Sequence, residues 1–376
     1  MSVQATSASP VSGAAAAVDE RVRQVSWAKR LLSRPELGSV SGSILVFFFF
    51  ALVAWDSGMF AIDGVMNWTV VSAQLGIIAI GACLLMIAGE FDLSIGSMIG
   101  FAGMMIAIPA IYWGWPVWAS ILFAFTGAMA IGFLNGYIVV RTGLPSFIVS
   151  LAFLFILRGL TIALSIMLTN RTIISGVNEK AESDWLAPFF GGEIGQGLFL
   201  WLGQNGWIDM YGDTPVVTGI PMVVVWWFLL ALVCSWVLLR TRFGNWIFAA
   251  GGDAKAAKNV GVPTDRVKIL LFMFTAFCAT LYAACQVLEF GSAAADRGVL
   301  KEFEAIIAAV IGGALLTGGY GSVIGACFGA LIFGVVQMGI FFTGIDSDWF
   351  RVFLGVMLLI AVLFNNMIRK KVTEAR

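Results

Sequence analysis

The chain has no histidine and little charge: 12% of its 376 residues are Asp, Glu, Lys or Arg, 22 of each sign, for a formal net charge of zero. Without His there is no imidazole zinc ligand, no His-Ser or His-Cys nucleophile pair and no facial-triad iron site. The five cysteines, Cys83, Cys234, Cys278, Cys285 and Cys327, are odd in number, dispersed and set in apolar runs. No CxxC metal or redox motif exists, and dry packing is their expected role. A Gly-Lys dipeptide is also missing, which removes the phosphate-cradling GxxxxGK[ST] loop. If ATP drives this protein, another chain binds it. What the sequence has instead is apolar bulk, 60% hydrophobic with a mean hydropathy of +0.95. Soluble domains are about a quarter charged, so this composition marks a polytopic membrane protein. It excludes a soluble enzyme, a nucleic-acid binder and a disulfide-stapled secreted domain, and no cofactor is expected.

A charge at the centre of a bilayer is costly and rare, so spans can be read from the gaps between ionisable residues. The uncharged gaps cover 37–55, 64–89, 93–140, 142–170 (with Arg158 inside), 214–239, 269–288, 305–345 and 352–368. Two are double length and break at Trp113-Gly114-Trp115-Pro116 and at Gly318-Gly319-Tyr320-Gly321-Ser322. The expectation is an all-α polytopic protein of about ten transmembrane helices, some short or broken. Sixteen Lys and Arg fall on the side of the N-terminus and five on the other, which places both termini inside by the positive-inside rule. Residues 1–17 read as a disordered tail, 18–36 as a basic amphipathic helix on the inner membrane surface, 37–368 as the transmembrane domain and 369–376 as a basic cytoplasmic tail. Within that domain 169–219 forms an outer, periplasmic loop and 240–268 a cytoplasmic one.

Several segments stand out. GEFDLSIGS, Gly89 to Ser97, sets Glu90 and Asp92 at the expected inner membrane edge. Asp92 precedes a helical run, where it would cap the helix or act in a gate. The cytoplasmic loop contains GGDAKAAKNVGV: Asp253 suits an N-cap, Ala254 to Asn259 a short Ala-rich helix, and Gly261 with Pro263 its end. Such a helix has no apolar face and needs something to dock against. Gln74, Asn135, Arg158 and Gln286 are isolated polar residues inside spans, each requiring a partner or water; interhelical hydrogen bonding and a conduit lining both remain open for them. Residues 305–317 are too few to cross as one straight helix. They fit either a broken helix beside a transport path or close small-residue packing. The outer loop carries Glu179, Glu182, Asp184, Glu193, Asp209 and Asp213 against Arg171 and Lys180, with Trp185, Trp201 and Trp207. Loops this long are usually functional or disordered, and its aromatics with several Gly favour an ordered one.

GEFDLS, Leu144-Pro145-Ser146-Phe147-Ile148-Val149, GGDAKAAKNVGV, and Glu304 to Gly313 followed by GGYGS together resemble the ribose/xylose-type sugar ABC importer permeases, over about residues 40–368. The resemblance implies a non-enzymatic permease subunit in the bacterial inner membrane. It would pair with a second permease copy, two ATP-binding subunits and a periplasmic sugar-binding protein, surrounded by membrane lipid and without nucleic acid. It also implies that GGDAKAAKNVGV is a coupling helix, with Gly252, Asp253, Ala256, Ala257 and Gly261 meeting the ATPase, and that the family's Asp-Leu-Ser maps to Asp92, Leu93 and Ser94. The candidate path or gate is then Gln74, Glu90, Asp92, Ser94, Asn135, Arg158 and Gln286. Glu90 departs from the Gly more usual in ribose-type members, and Ala293 to Arg297 lacks their Pro/Gly pattern. The expected solute is a pentose, hexose or related polyol carried by alternating access. An ion-coupled secondary transporter is the alternative, for which Glu90, Asp92 and Glu289 sit at expected membrane edges rather than near midplane.

Overall fold

The computed structural model describes residues 35–346 and 348–374. The expected tail at 1–17 and most of the helix at 18–36 lie outside that range. Five helices come first: α1 (Pro35–Val53), α2 (Ile62–Ile87), α3 (Ile95–Tyr112), α4 (Val117–Thr142) and α5 (Ser146–Thr169). An excursion follows, with β1 (Ile173–Ser175), α6 (Val177–Ala181), α7 (Pro188–Gly191), β2 (Glu193–Ile194), α8 (Gln196–Gln204), β3 (Met210–Tyr211), β4 (Thr214–Pro215) and β5 (Ile220–Pro221). The chain then runs through α9 (Met222–Arg240), α10 (Arg242–Gly252), α11 (Ala254–Asn259) and α12 (Thr264–Phe290). It finishes with β6 (Ser292–Ala294), α13 (Lys301–Ile311), α14 (Val323–Phe342) and α15 (Trp349–Glu374). Each uncharged gap holds a helix, but only seven described helices (α2, α3, α4, α5, α9, α12 and α14) are long and apolar enough to cross a membrane. The described apolar stretches of α1 and α15 are shorter, and α13 has eleven residues.

Helix boundaries follow local chemistry. Pro116, Pro145, Pro221 and Pro263 stand immediately before α4, α5, α9 and α12, where a missing amide costs nothing. Gly143 and Asn170 end α4 and α5 in the left-handed conformation. The core sits on α2 and α3, most of whose residues are buried, with α12 and α14 packed against them. Helices α4, α5 and α9 are peripheral and expose Leu122, Phe155, Ile156, Phe228 and Trp236, as lipid-facing helices must.

Two stretches depart from plain spanning helices. Between α2 and α3, residues 88–94 fold back into the bundle, so α3 starts well inside it. Asp92 accepts from Thr275, which is eleven residues, about 16 Å, into α12. The expectation of an edge position for Asp92 is therefore wrong: the backbone turns inward there because protein, not lipid, surrounds it. The second stretch is 291–322. Ala293 lies at van der Waals distance from Gly103, while the space for a Cβ at Gly100 is taken by Ala295 and Arg297 and that at Gly96 by Gly298 and Glu302, so the chain walks back along α3 before α13 begins. Eleven helical residues rise about 16 Å, half of a bilayer core of about 30 Å, so α13 is too short to cross by itself. The helix starts at Lys301 rather than 305 and so carries Lys301, Glu302 and Glu304 in its first turn. Lys301 pairs with Glu304 at 2.5 Å, whereas Glu302 is buried and makes no ion pair among the described residues.

The excursion is ordered. β1 pairs antiparallel with β6 (Ile173 with Ala294, Ile174 with Ala293, Ser175 with Ser292). Gly176, Val177 and Ala295 donate further backbone bonds across the same seam. Phe199, Ile208 and Val217 form a small apolar centre beneath the rest of the loop.

Candidate functional site

Asp92, Ser94 and Asn135 come together. Asp92 Oδ1 accepts from the Ser94 amide at 2.9 Å, from Ser94 Oγ at 2.5 Å and from Asn135 Nδ2 at 3.4 Å, while Oδ2 accepts from Thr275 Oγ1 at 2.6 Å. The carboxylate is 5% exposed and meets only neutral donors, so hydrogen bonds rather than a counter-ion hold it. Asn135 Oδ1, in the same node, is buried with no hydrogen-bond partner among the described residues. The node is pinned from α5: the Phe91 amide donates to Ser146 Oγ at 3.0 Å, and Ser150 Oγ donates to the Phe91 carbonyl at 3.3 Å. Ser146 belongs to the LPSFIV segment, so two of the motifs singled out in sequence touch here.

Gln74 and Gln286 belong to a different cluster. Gln74 Nε2 donates to Glu289 Oε2 at 3.2 Å, and Gln286 Nε2 donates to Tyr282 Oη at 3.1 Å. Arg297, from the walk-back segment, lies within electrostatic reach of Glu289 and Tyr282. It donates to the Ser292 carbonyl at 2.6 Å and sits 5.1 Å over the Phe290 ring. Gln74, Gln286 and Arg297 are half-buried and Glu289 is exposed, so this is a polar strip on the side of the bundle. A strip of that kind in a membrane chain needs water or a partner, not lipid.

Arg158 occupies a third place, donating to Ser97 Oγ at 3.3 Å and within electrostatic reach of Glu302. Glu302 is 3% exposed and its Oε2 has no hydrogen-bond partner among the described residues. Glu90 is separate again, paired with Lys268 of α12.

At the bundle end opposite the excursion, Asp253 caps α11 by accepting from the Lys255 and Ala256 amides at 3.0 and 2.9 Å. Ala257 turns inward, and Gly261 carries a φ of +90° past the helix end. The loop joins the bundle through backbone. The Gly319 amide donates to the Ile87 carbonyl at 2.8 Å. A Cβ at Gly318 would sit 2.8 Å from both the Gly251 carbonyl oxygen and Gly89 Cα. Only residues without side chains allow that approach, and it brings together GEFDLS, the GGDAKAAKNVGV loop and GGYGS.

Sequence reasoning missed Thr275, Lys268, Tyr282, Arg297 and Glu302. Their partners are 178 residues away for Lys268 and 183 for Thr275, and no local pattern reports such pairing. The readable signals were the helical spacings of Lys301 with Glu304 and of Tyr282 with Gln286.

Comparison with known proteins agrees with this architecture. Residues 64–362 match the family described as branched-chain amino acid transport system / permease component. The xylose transport system permease protein of Haemophilus influenzae is 29% identical over 364 residues, covering 88% of this chain and 96% of its own. The fructose import permease protein of Rhizobium meliloti is 30% identical over 298 residues, with 79% and 76% covered. The ribose import permease protein of Escherichia coli K12 is 29% identical over 310 residues, with 82% and 87% covered. No solved structure matches significantly. The chain is a polytopic membrane protein that belongs to the branched-chain amino acid transport system / permease component family.

Proposed function

We propose that the chain is the transmembrane subunit of an ATP-binding-cassette importer that moves a monosaccharide, a pentose or hexose, or a related polyol across the inner membrane. The import and transport permeases it resembles are named for xylose, fructose and ribose. The charge bias of the loops supports cytoplasmic termini and ten crossings, counting 291–322 as a broken one. The excursion 170–221 is then periplasmic and faces a sugar-binding protein. Helix α11 faces two ATP-binding subunits, which perform the hydrolysis while this chain makes no bonds. A second copy of the permease closes the path, and the strip of Gln74, Tyr282, Gln286, Glu289 and Arg297 lines it. Neutral amides, a phenol and one carboxylate facing one guanidinium suit hydroxyl-rich solutes better than ions.

The observation that carries this reading is the backbone clasp at Gly89, Gly251 and Gly318. Through it a push on α11 reaches the turn that closes α13, and through α13 and β6 it reaches the periplasmic loop. Alternating access then follows from two arrangements of the 291–322 crossing, each favoured by one partner. The test is reconstitution in liposomes with the co-purifying ATPase and binding protein. Sugar accumulation that requires ATP supports the proposal. Accumulation by the isolated chain on an ion gradient without ATP overturns it and turns attention to Asp92 and Glu302.

A further inference from the structure

An open pocket of about 320 Å³ lies where α3 turns into α4, walled by the Gly114–Trp118 turn and by Lys180, Ser183 and Trp185 of the excursion. Its one buried acid is already occupied: Asp184 accepts from the Trp118 amide at 2.9 Å and from the Leu186 amide at 3.0 Å. Lys180 is exposed and makes no ion pair among the described residues, which leaves it as the cation the pocket has to offer. Trp115 and Trp185 are open to the outside, at 39% and 68% exposure. A second cavity of about 180 Å³ runs down the side of the bundle between α3 and α5. Its walls are apolar, with Phe101, Met104 and Met105 on one side and Leu160, Leu164 and Leu168 on the other. The two cavities are joined through aromatic contacts. Trp113 and Phe123 line the groove, Trp115 lines the pocket, and Trp115 packs edge-on against both, with ring centroids 5.7 and 5.6 Å apart.

We propose that pocket and groove together hold one phospholipid, its phosphate at Lys180 and one acyl chain along the groove. Each half matches one end of such a molecule. A lysine ammonium is a point-charge partner for phosphate, tryptophans at the end of spanning helices mark the headgroup level, and the methionine-lined slot adapts to a flexible chain. A sugar would find the one carboxylate in the pocket lining, Asp184, already engaged by two backbone amides. A second protein copy laid on the groove would gain nothing from the cation at its mouth.

The test titrates the full chain in detergent with dioleoylphosphatidylglycerol or with diolein, which has the same acyl chains without the phosphate, and counts bound lipid by native mass spectrometry. The expected result is one phospholipid retained per chain with about tenfold preference over diolein, the scale of a single charge-assisted contact. Lys180→Ala, a surface change, should remove that preference, and Leu164→Trp, which fills the groove, should lower retention of both lipids. Equal retention of the two lipids by the native chain, or variants that bind as the native chain does, overturns the proposal. So does displacement of the lipid by inorganic phosphate alone, or efficient copy-to-copy cross-linking through Leu164→Cys, which would put protein in the groove.

Discussion

At the scale of single residues, the most consequential side chain is Asp92, because everything holding it is neutral and most of it is remote in sequence. Thr275 supplies its shortest contact from another helix, 2.6 Å. Thr275→Val keeps the shape and deletes the donor. A hydrogen bond to a charged group is worth about 1.5–3 kcal/mol, and that loss of stability is expected in denaturant unfolding of the detergent-solubilised chain, whereas Thr126→Val, on exposed α4, should change little. Equal stability of the two variants would mean that water already shares the Asp92 site. Asp253 is a different case. Its carboxylate caps a helix of six residues, far too short to persist alone. Asp253→Ala removes about 1 kcal/mol of capping from a segment that buries a single small side chain, Ala257. Global stability should therefore hold while ATP-dependent uptake falls; an unfolding midpoint that drops together with uptake would show that α11 is part of the folding unit instead.

At the scale of elements, the unusual piece is the 291–322 segment, fastened to the excursion at one end and to the α10–α11 loop at the other. The amide of Gly176 bonds the carbonyl of Gly291 and that of Ala295 bonds Thr172, so Ser175 and Ser292 form a non-hydrogen-bonded pair, with Cα atoms about 4.5 Å apart. That separation suits a disulfide. If β1 and β6 move as one body, the oxidised Ser175→Cys/Ser292→Cys double variant should transport at the native rate, while Ile174→Pro, which deletes a ladder amide, should transport poorly. A cross-link that stops transport and is relieved by reductant would show instead that the strands part during the cycle. The same segment marks the limit of what could be read from sequence. The seven long helices were legible as nearly uncharged gaps, because lipid on the peripheral helices and the dry interior around α2 and α3 both disfavour charge along them. Asp253 and α11 were legible because capping is local. The start of α13 was not, since Lys301, Glu302 and Glu304 break the gap and their burial depends on partners the chain supplies only after folding. The inward fold of 88–94 was hidden for the same reason: Asp92 read as an edge residue until Thr275 and Asn135 were placed beside it.

At the scale of the whole molecule, charge is arranged so that each end of the bundle carries its own kind of contact. The α10–α11 end offers a small-residue helix held by backbone, while the excursion offers acids, with Glu179, Glu182, Asp209 and Asp213 all exposed and Trp185, Trp201 and Trp207 open to solvent beside them. If a binding protein docks on that face, exposed charges should act mainly on encounter and should be screened over a Debye length of about 8 Å at physiological salt. Replacing the four acids with their amides should therefore slow stimulation of the ATPase by the loaded binding protein at low salt, and the difference from the native chain should shrink as salt rises. Sugar uptake at saturating binding protein should be nearly unchanged, because the path and the α11 contact are untouched. A difference that persists at high salt would mean that the acids shape the loop rather than steer its partner. Glu193 is the control that separates the two. It accepts from Thr218 Oγ1 at 2.5 Å and sits in the β2–β5 pair, so Glu193→Ala, which deletes that acceptor, should perturb the loop at any ionic strength and give the salt-independent defect that the four outer acids should not.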